Sequence, residues 1–181
     1  MPRDPLLDSI EALKQRFSVP ARKAVAIVSL SDQTLSFYRD GALVKTYPVS
    51  TSRYGAGNKD GSYMTPLGVH SIREKIGDSA PFGTIFKGRR NTHRVAQIVS
   101  DQTKTPHDFI TSRILWLEGQ EPGVNRGEGI DSYARYIYIH GTHEEGLIGQ
   151  PASIGCIRMR NRDVVELYDQ MREDDLVVIV E

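Results

Sequence analysis

A mainly β domain with short helices at its edges is the fold class this sequence predicts, and three observations predict it. Short runs rich in β-branched and aromatic residues recur along most of the chain. Turn signals such as Asp40-Gly41 separate several of them at close intervals. Helical periodicity appears only near the two ends.

Leu6, Leu7, Ile10, Leu13 and Phe17 recur at helical spacing, so residues 5–17 read as a short amphipathic helix that Pro20 ends. Residues 24–28 and 34–38 read as strands, and residues 43–49 follow Asp40-Gly41 as the third strand of a β-meander. The Gly-, Ser- and Asn-rich residues 52–62 form a loop. Thr65-Pro66-Leu67-Gly68 is a turn into a strand over 69–73, and residues 77–92 show no period and read as irregular. Residues 96–100 and 114–118 are strand-like, and 119–132 form an exposed loop. Tyr136-Ile137-Tyr138-Ile139 reads as a buried strand that delivers His140. Asn161 is placed to cap a helix over 162–171, and the apolar residues 176–180 close the chain as a strand.

The chain has 181 residues, enough for one sizeable core. Its formal net charge is zero, which argues against nucleic acid as the main partner. No apolar run approaches the ~20 residues a membrane span needs. The charged N-terminus lacks the order of a signal peptide, so either the protein stays in the cytosol or a leader has been removed. One cysteine and five scattered histidines do not make a structural zinc set, and the reading requires no metal and no cofactor.

That one cysteine, Cys156, sits on a glycine-bearing loop, Ser153-Ile154-Gly155-Cys156-Ile157-Arg158-Met159. His140 ends a strand 16 residues earlier, followed by Gly141-Thr142. A lone thiol near a histidine at a strand end is the layout of a nucleophile and its base. A buried inert thiol is the alternative from residue type alone. His143 is the rival base, expected to be less fixed because Glu144 and Glu145 follow it. His70, His93 and His107 read as solvated. Arg158 either holds a substrate carboxylate or braces the loop, and Tyr63 and Met64 fit the core or a substrate wall.

Taken together, the early hairpin, Thr65-Pro66-Leu67-Gly68, His140-Gly141-Thr142 and Ser153 to Met159 resemble the YkuD-like L,D-transpeptidase catalytic domain, over about residues 23–181. Residues 1–22 then form an N-terminal helical arm. The family often carries histidine before the glycine of its Ser-His-Gly-Cys motif, where this chain has Ile154. The resemblance implies a sandwich of mixed β-sheets with the cysteine under a loop cap, a cell-envelope location, and peptidoglycan stem peptides as partners. It implies acylation of Cys156 by the third stem residue, a diamino acid, with loss of D-alanine and formation of 3→3 cross-links. Catalysis then falls to Cys156, His140 and the Gly141 carbonyl that orients the imidazole. The amides of Gly155, Cys156 and Ile154 form an oxyanion hole. Arg158, Tyr63, Met64, Thr142 and Ser153 line the substrate.

Water as acceptor turns the same site into an L,D-carboxypeptidase. A sortase-like transpeptidase would place its arginine on a separate later strand, whereas Arg158 stands beside the cysteine. A non-catalytic wall-binding module, or an unrelated β-domain with a buried cysteine, is the reading from another class. A fast-reacting thiol with a pKa well under about 8.5 is the expected mark of the enzyme.

Overall fold

The computed structural model describes residues 5–17 and 24–181. In chain order they form α1 (Pro5–Arg16), β1 (Val25–Ser29), β2 (Thr34–Arg39), β3 (Ala42–Pro48), β4 (Gly68–Ile76), β5 (Thr84–Lys87), β6 (Arg90–Val95), β7 (Ile110–Gly119), β8 (Tyr138–Gly141), β9 (Ile157–Met159), α2 (Asn161–Gln170) and β10 (Leu176–Val180). Pro20 lies outside the described residues, as do the side chains of Leu6, Leu7 and Ile10.

Hydrogen bonds join all ten strands into one mixed sheet, ordered β3-β2-β1-β10-β4-β7-β5-β6, with β8 on β7 and β9 on β8. The β1·β10 and β8·β9 pairs are parallel and the others antiparallel. Beyond β3 the chain meets β9. Ser50 donates to the Arg158 carbonyl at 2.9 Å and Arg158 donates back at 2.8 Å, while Arg53 N–H reaches the Ser153 carbonyl at 3.0 Å. A single sheet curled over its own core thus takes the place of separate packed sheets.

Strand alternation sorts the core. Ala26, Val28, Val177 and Ile179 face a large interior cluster with Leu115, Leu117, Ile139, Ile157 and Met159, covered by Val164 and Leu167 of α2. Val25, Ile27, Leu176 and Val178 point to the opposite face, where Leu13 and Phe17 lie against them. β10 is covered on both faces, which explains why its sequence is continuously apolar.

Three elements depart from the sequence reading. Residues 84–95, expected to be mostly irregular, form the β5–β6 hairpin. Residues 96–100 join no ladder; they run extended, with Ala96 N–H on the Gly83 carbonyl and Val99 N–H on the His143 carbonyl. α2 begins at Asn161 itself, whose side chain does not cap the helix. Its Oδ1 accepts the Thr111 and Ser112 hydroxyls at 2.6 and 2.5 Å, and Glu145 Oε1 takes the Asn161 backbone N–H at 2.8 Å.

Candidate active site

The parallel β8–β9 register pairs Ile139 with Ile157 and His140 with Arg158. Ile139 and Ile157 face the interior, so His140 and Arg158 face the other way. Continuing the register one step places Cys156 opposite Tyr138, two residues before His140 and on the same face as it. The Tyr138 N–H points at the Cys156 sulfur at 3.4 Å, and the thiol donates to the Tyr136 carbonyl at 3.4 Å. Cys156 and His140 are therefore diagonal neighbours on one face of the β8–β9 pair.

His140 is buried, and its Nδ1 lies 2.6 Å from the Gly141 carbonyl. A carbonyl only accepts, so Nδ1 carries the proton and Nε2 keeps a free lone pair. Gly141 itself is dictated by a close approach: a Cβ there would stand 2.5 Å from the Thr111 carbonyl of β7. Burial holds the imidazole below its usual pKa, partly offset by the Asp108 carboxylate and the Gly141 carbonyl. Burial pushes the Cys156 thiol up to about 12, with the Tyr138 N–H opposing and Asp108 adding to the rise. Burial thus disfavours both the thiolate and the imidazolium, opposite to the depressed thiol expected of the enzyme.

The loop that carries Cys156 is held from behind. Gly155 takes φ +133°, a region closed to side chains, and so turns the chain into β9. The Ser153 hydroxyl donates to the Cys156 carbonyl at 2.6 Å and accepts the Gly155 N–H at 3.3 Å. The Thr65 hydroxyl donates to the Gly155 carbonyl at 2.9 Å and accepts the Ser52 N–H at 3.0 Å. Ser153, expected to line substrate, and Thr65 are fully buried, and both hold the loop that carries Cys156.

Two further residues expected at the substrate, Thr142 and Arg158, are buried. Thr142 is buried, accepting the Glu144 N–H on its hydroxyl at 3.1 Å and donating its own N–H to the Met159 carbonyl. Arg158, with its side chain 2% exposed, pairs through Nη1 with Glu144 at 2.9 Å and Asp108 at 3.2 Å. Those contacts brace β9 through Nη1, while Nε and Nη2 are buried without a hydrogen-bond partner. His143, expected to be less fixed, and His70, expected near solvent, are buried as well. His143 Nε2 meets the Thr105 hydroxyl at 2.8 Å. His70 bridges the Gly68 carbonyl and the Ser132 hydroxyl at 3.0 and 2.8 Å, and burial lowers its pKa to about 4.

In front of the sulfur the surface opens. Tyr63 is 56% exposed and Ile154 is 45% exposed, and Met64 is half-buried. The Tyr63 and Met64 carbonyls come within 3.9 and 3.5 Å of where a Gly155 side chain would stand, so these residues border the nucleophile loop. Cys156 packs against Phe86, Ile114, Trp116 and Tyr138. Behind Phe86 the β5–β6 hairpin and residues 106–110 enclose a cavity of about 510 Å³ lined by Lys87, Thr92, Arg94, His107 and Asp108. Among the described residues no group of histidine, cysteine and carboxylate side chains is placed to hold a metal ion.

Sequence reasoning missed Thr65 as the clamp, Asp108 as the carboxylate acting on both reacting groups, and Arg89 of the hairpin. The Thr65-Pro66-Leu67-Gly68 motif was visible, but the hydroxyl's partner lies 90 residues away.

Comparison with known proteins bears on the fold and the family. A Bacillus licheniformis protein named "Putative L,D-transpeptidase YkuD" is 27% identical over 158 residues, covering 87% of this chain and 64% of its own length. The L,D-transpeptidase 3 of Mycobacterium tuberculosis, solved with a faropenem-derived adduct, superposes with a TM-score of 0.55 at 18% identity, covering 88% of this chain and 60% of that one. An L,D-transpeptidase from Mycobacterium smegmatis gives a TM-score of 0.52 at 16% identity, with 88% and 59% covered. The chain thus spans under two thirds of the length of these relatives. The family model of the L,D-transpeptidase catalytic domain matches residues 23–179, from just before β1 to the penultimate residue of β10, and the chain belongs to that family, YkuD.

Proposed function

We propose that the protein is a cysteine acyltransferase acting on peptidoglycan stem peptides, with Cys156 as nucleophile and His140 as its base. One observation carries the reading: the Gly141 carbonyl fixes the proton on His140 Nδ1, leaving Nε2 as an acceptor on the face that holds the sulfur. The family supplies the substrate class.

In the first step the thiol proton passes to Nε2 as the sulfur attacks the carbonyl of the third stem residue. General-base help of this kind contributes about 10²–10⁴ in rate. The amides of Ile154, Gly155 and Cys156 are the donors nearest the developing oxyanion. That of Gly155 is shared with the Ser153 hydroxyl, so the other two carry more of the role. Each such donor contributes about 10²–10³. The intermediate collapses to a thioester as the imidazolium proton moves to the amine of the departing D-alanine. Asp108 favours the imidazolium that forms between these steps. An amine from a second stem then resolves the thioester into a 3→3 cross-link, whereas water would release a tripeptide, the L,D-carboxypeptidase outcome.

Residues 23–181 are the catalytic unit in this reading, residues 1–22 an arm, and the cell envelope the place of action. No helix among the described residues is long and apolar enough to cross a membrane. Product analysis by mass spectrometry after incubation with defined muropeptides, alone and with an acceptor stem, tests the proposal. Cross-linked dimer is expected with the acceptor. Tripeptide alone would reassign the acceptor to water. No product from either would leave a non-catalytic wall-binding module.

A further inference from the structure

The β5–β6 hairpin turns through two residues, Gly88 and Arg89, with φ +52° and +64°. Two-residue hairpins of this kind favour Asn, Asp or Gly at both positions, because a side chain is strained there. Arg89 occupies the second position nonetheless, and its guanidinium is held on three sides. It lies over the ring of Trp116 at 4.7 Å and over that of Tyr136 at 5.1 Å. Its Nη1 donates to the Tyr138 hydroxyl at 3.1 Å. Trp116 is itself locked, stacked on Tyr133 at 4.1 Å and edge-on to Tyr138 at 5.6 Å.

These rings also surround the reacting sulfur. Tyr138 gives its N–H to Cys156, Tyr136 takes the thiol proton on its carbonyl, and Cys156 packs against the cluster that Trp116 and Tyr138 form. Arg89 thus stands beside the nucleophile on the side away from His140. Among the described residues no carboxylate forms an ion pair with it, and it is half-buried, so part of the fork faces solvent. From Thr84 to Ser100 there is no acidic residue, while Lys87, Arg89, Arg90 and Arg94 crowd into eight positions of a chain whose net charge is zero.

A planar guanidinium fixed by aromatic faces, with unspent donors, is pre-organised for a carboxylate, since little entropy remains to be lost on pairing. We propose that Arg89 binds a carboxylate of the peptide substrate and so sets the preference of the site for anionic peptides. This rests on the peptide reading above. Two carboxylates of a donor tetrapeptide that carries meso-diaminopimelate as its third residue qualify: the terminal one of D-alanine and the distal one of the diaminopimelate.

The test measures kcat/KM for acylation of Cys156 with the tetrapeptide and with two neutralised forms, one amidated at the terminal carboxylate and one at the distal carboxylate. The wild-type protein is expected to prefer the free acid at least tenfold at one of the two positions, which identifies the group bound. Arg89→Gln is expected to bring that ratio to about one, and Arg89→Lys, which keeps the charge and loses the fork, to leave an intermediate ratio. A purely structural Arg89 would lower all rates together and leave the ratio unchanged, which overturns the proposal. So does a wild-type protein that acylates acid and amides equally. Failure of the wild-type protein to acylate from any of the three peptides overturns the peptide reading itself. Far-ultraviolet circular dichroism and the urea midpoint report whether Arg89→Gln folds, and Arg89→Lys carries the test if it does not.

Discussion

The two sides of Cys156 are built from different materials. Behind it, residues 153–158 are pinned by buried hydroxyls and carbonyls, Ser153, Thr65 and the Ser50 backbone, and braced by the Arg158–Glu144 pair. In front, the hairpin and residues 106–110 present half-buried or exposed cations, an aromatic cluster and an open cavity. The difference teaches a division of labour. Fixing the loop that carries Cys156 needs geometry that does not move, so its hydroxyls and backbone groups are spent on each other. Choosing a substrate needs groups left unspent, so they stand in the open.

Breaking the rear side has the largest effects. Cys156→Ala is expected to abolish acyl-enzyme formation, and His140→Gln to lower the acylation rate by about 10²–10⁴ with a smaller change in KM, both read by intact-mass time courses. Glu144→Gln leaves the buried Arg158 charge with only the half-exposed Asp108. Unfolding in urea should show a loss of about 3–5 kcal/mol. Thr65→Val keeps the shape but strips the Gly155 carbonyl and Ser52 amide of a partner. It should cost about 1–3 kcal/mol and lower kcat more than it raises KM; a Thr65→Val protein with wild-type kcat would show that the clamp is not needed.

A further effect, on stability alone and only at acid pH, lies at His70. Its folded pKa of about 4 is below the usual 6.5 because burial disfavours the cation. Between those values the unfolded chain binds a proton that the folded one refuses, so stability is full above 6.5 and falls with pH toward 4. The loss is about 3 kcal/mol at most. His70→Gln should flatten this part of the acid limb in urea titrations from pH 7 to pH 4.

Much of this was legible beforehand. The β1–β2–β3 meander, β7, α2 and β10 follow from apolar period and turn residues, and the placement of Cys156 after a strand ending in His140 follows from residue types. The β5–β6 hairpin was hidden because nearly all of β6 is exposed, which leaves no alternation to read, and because Arg89 disguises the turn. β9 is three residues long, too short for any period. The burial of His70, His143, Thr142 and Arg158 depends on partners far away in the chain, Ser132, Thr105, Met159 and Asp108, just as β9 meets residues 50–53. Such pairings leave no local mark in the sequence.

A thiol whose pKa burial raises also separates this site from one that stores a thiolate. Alkylation of Cys156 by iodoacetamide should be slow at pH 7 and keep rising with pH toward about 12, with no plateau below pH 8.5.

The most direct measurement is the mass of the intact protein quenched during turnover of a stem tetrapeptide, followed by peptide mapping. The account predicts a tripeptide acyl group on Cys156 in the wild-type protein, sharply reduced in His140→Gln and absent in Cys156→Ala. A tripeptide adduct that persists in Cys156→Ala, or a wild-type protein that turns over substrate with no adduct on the sulfur, would contradict it.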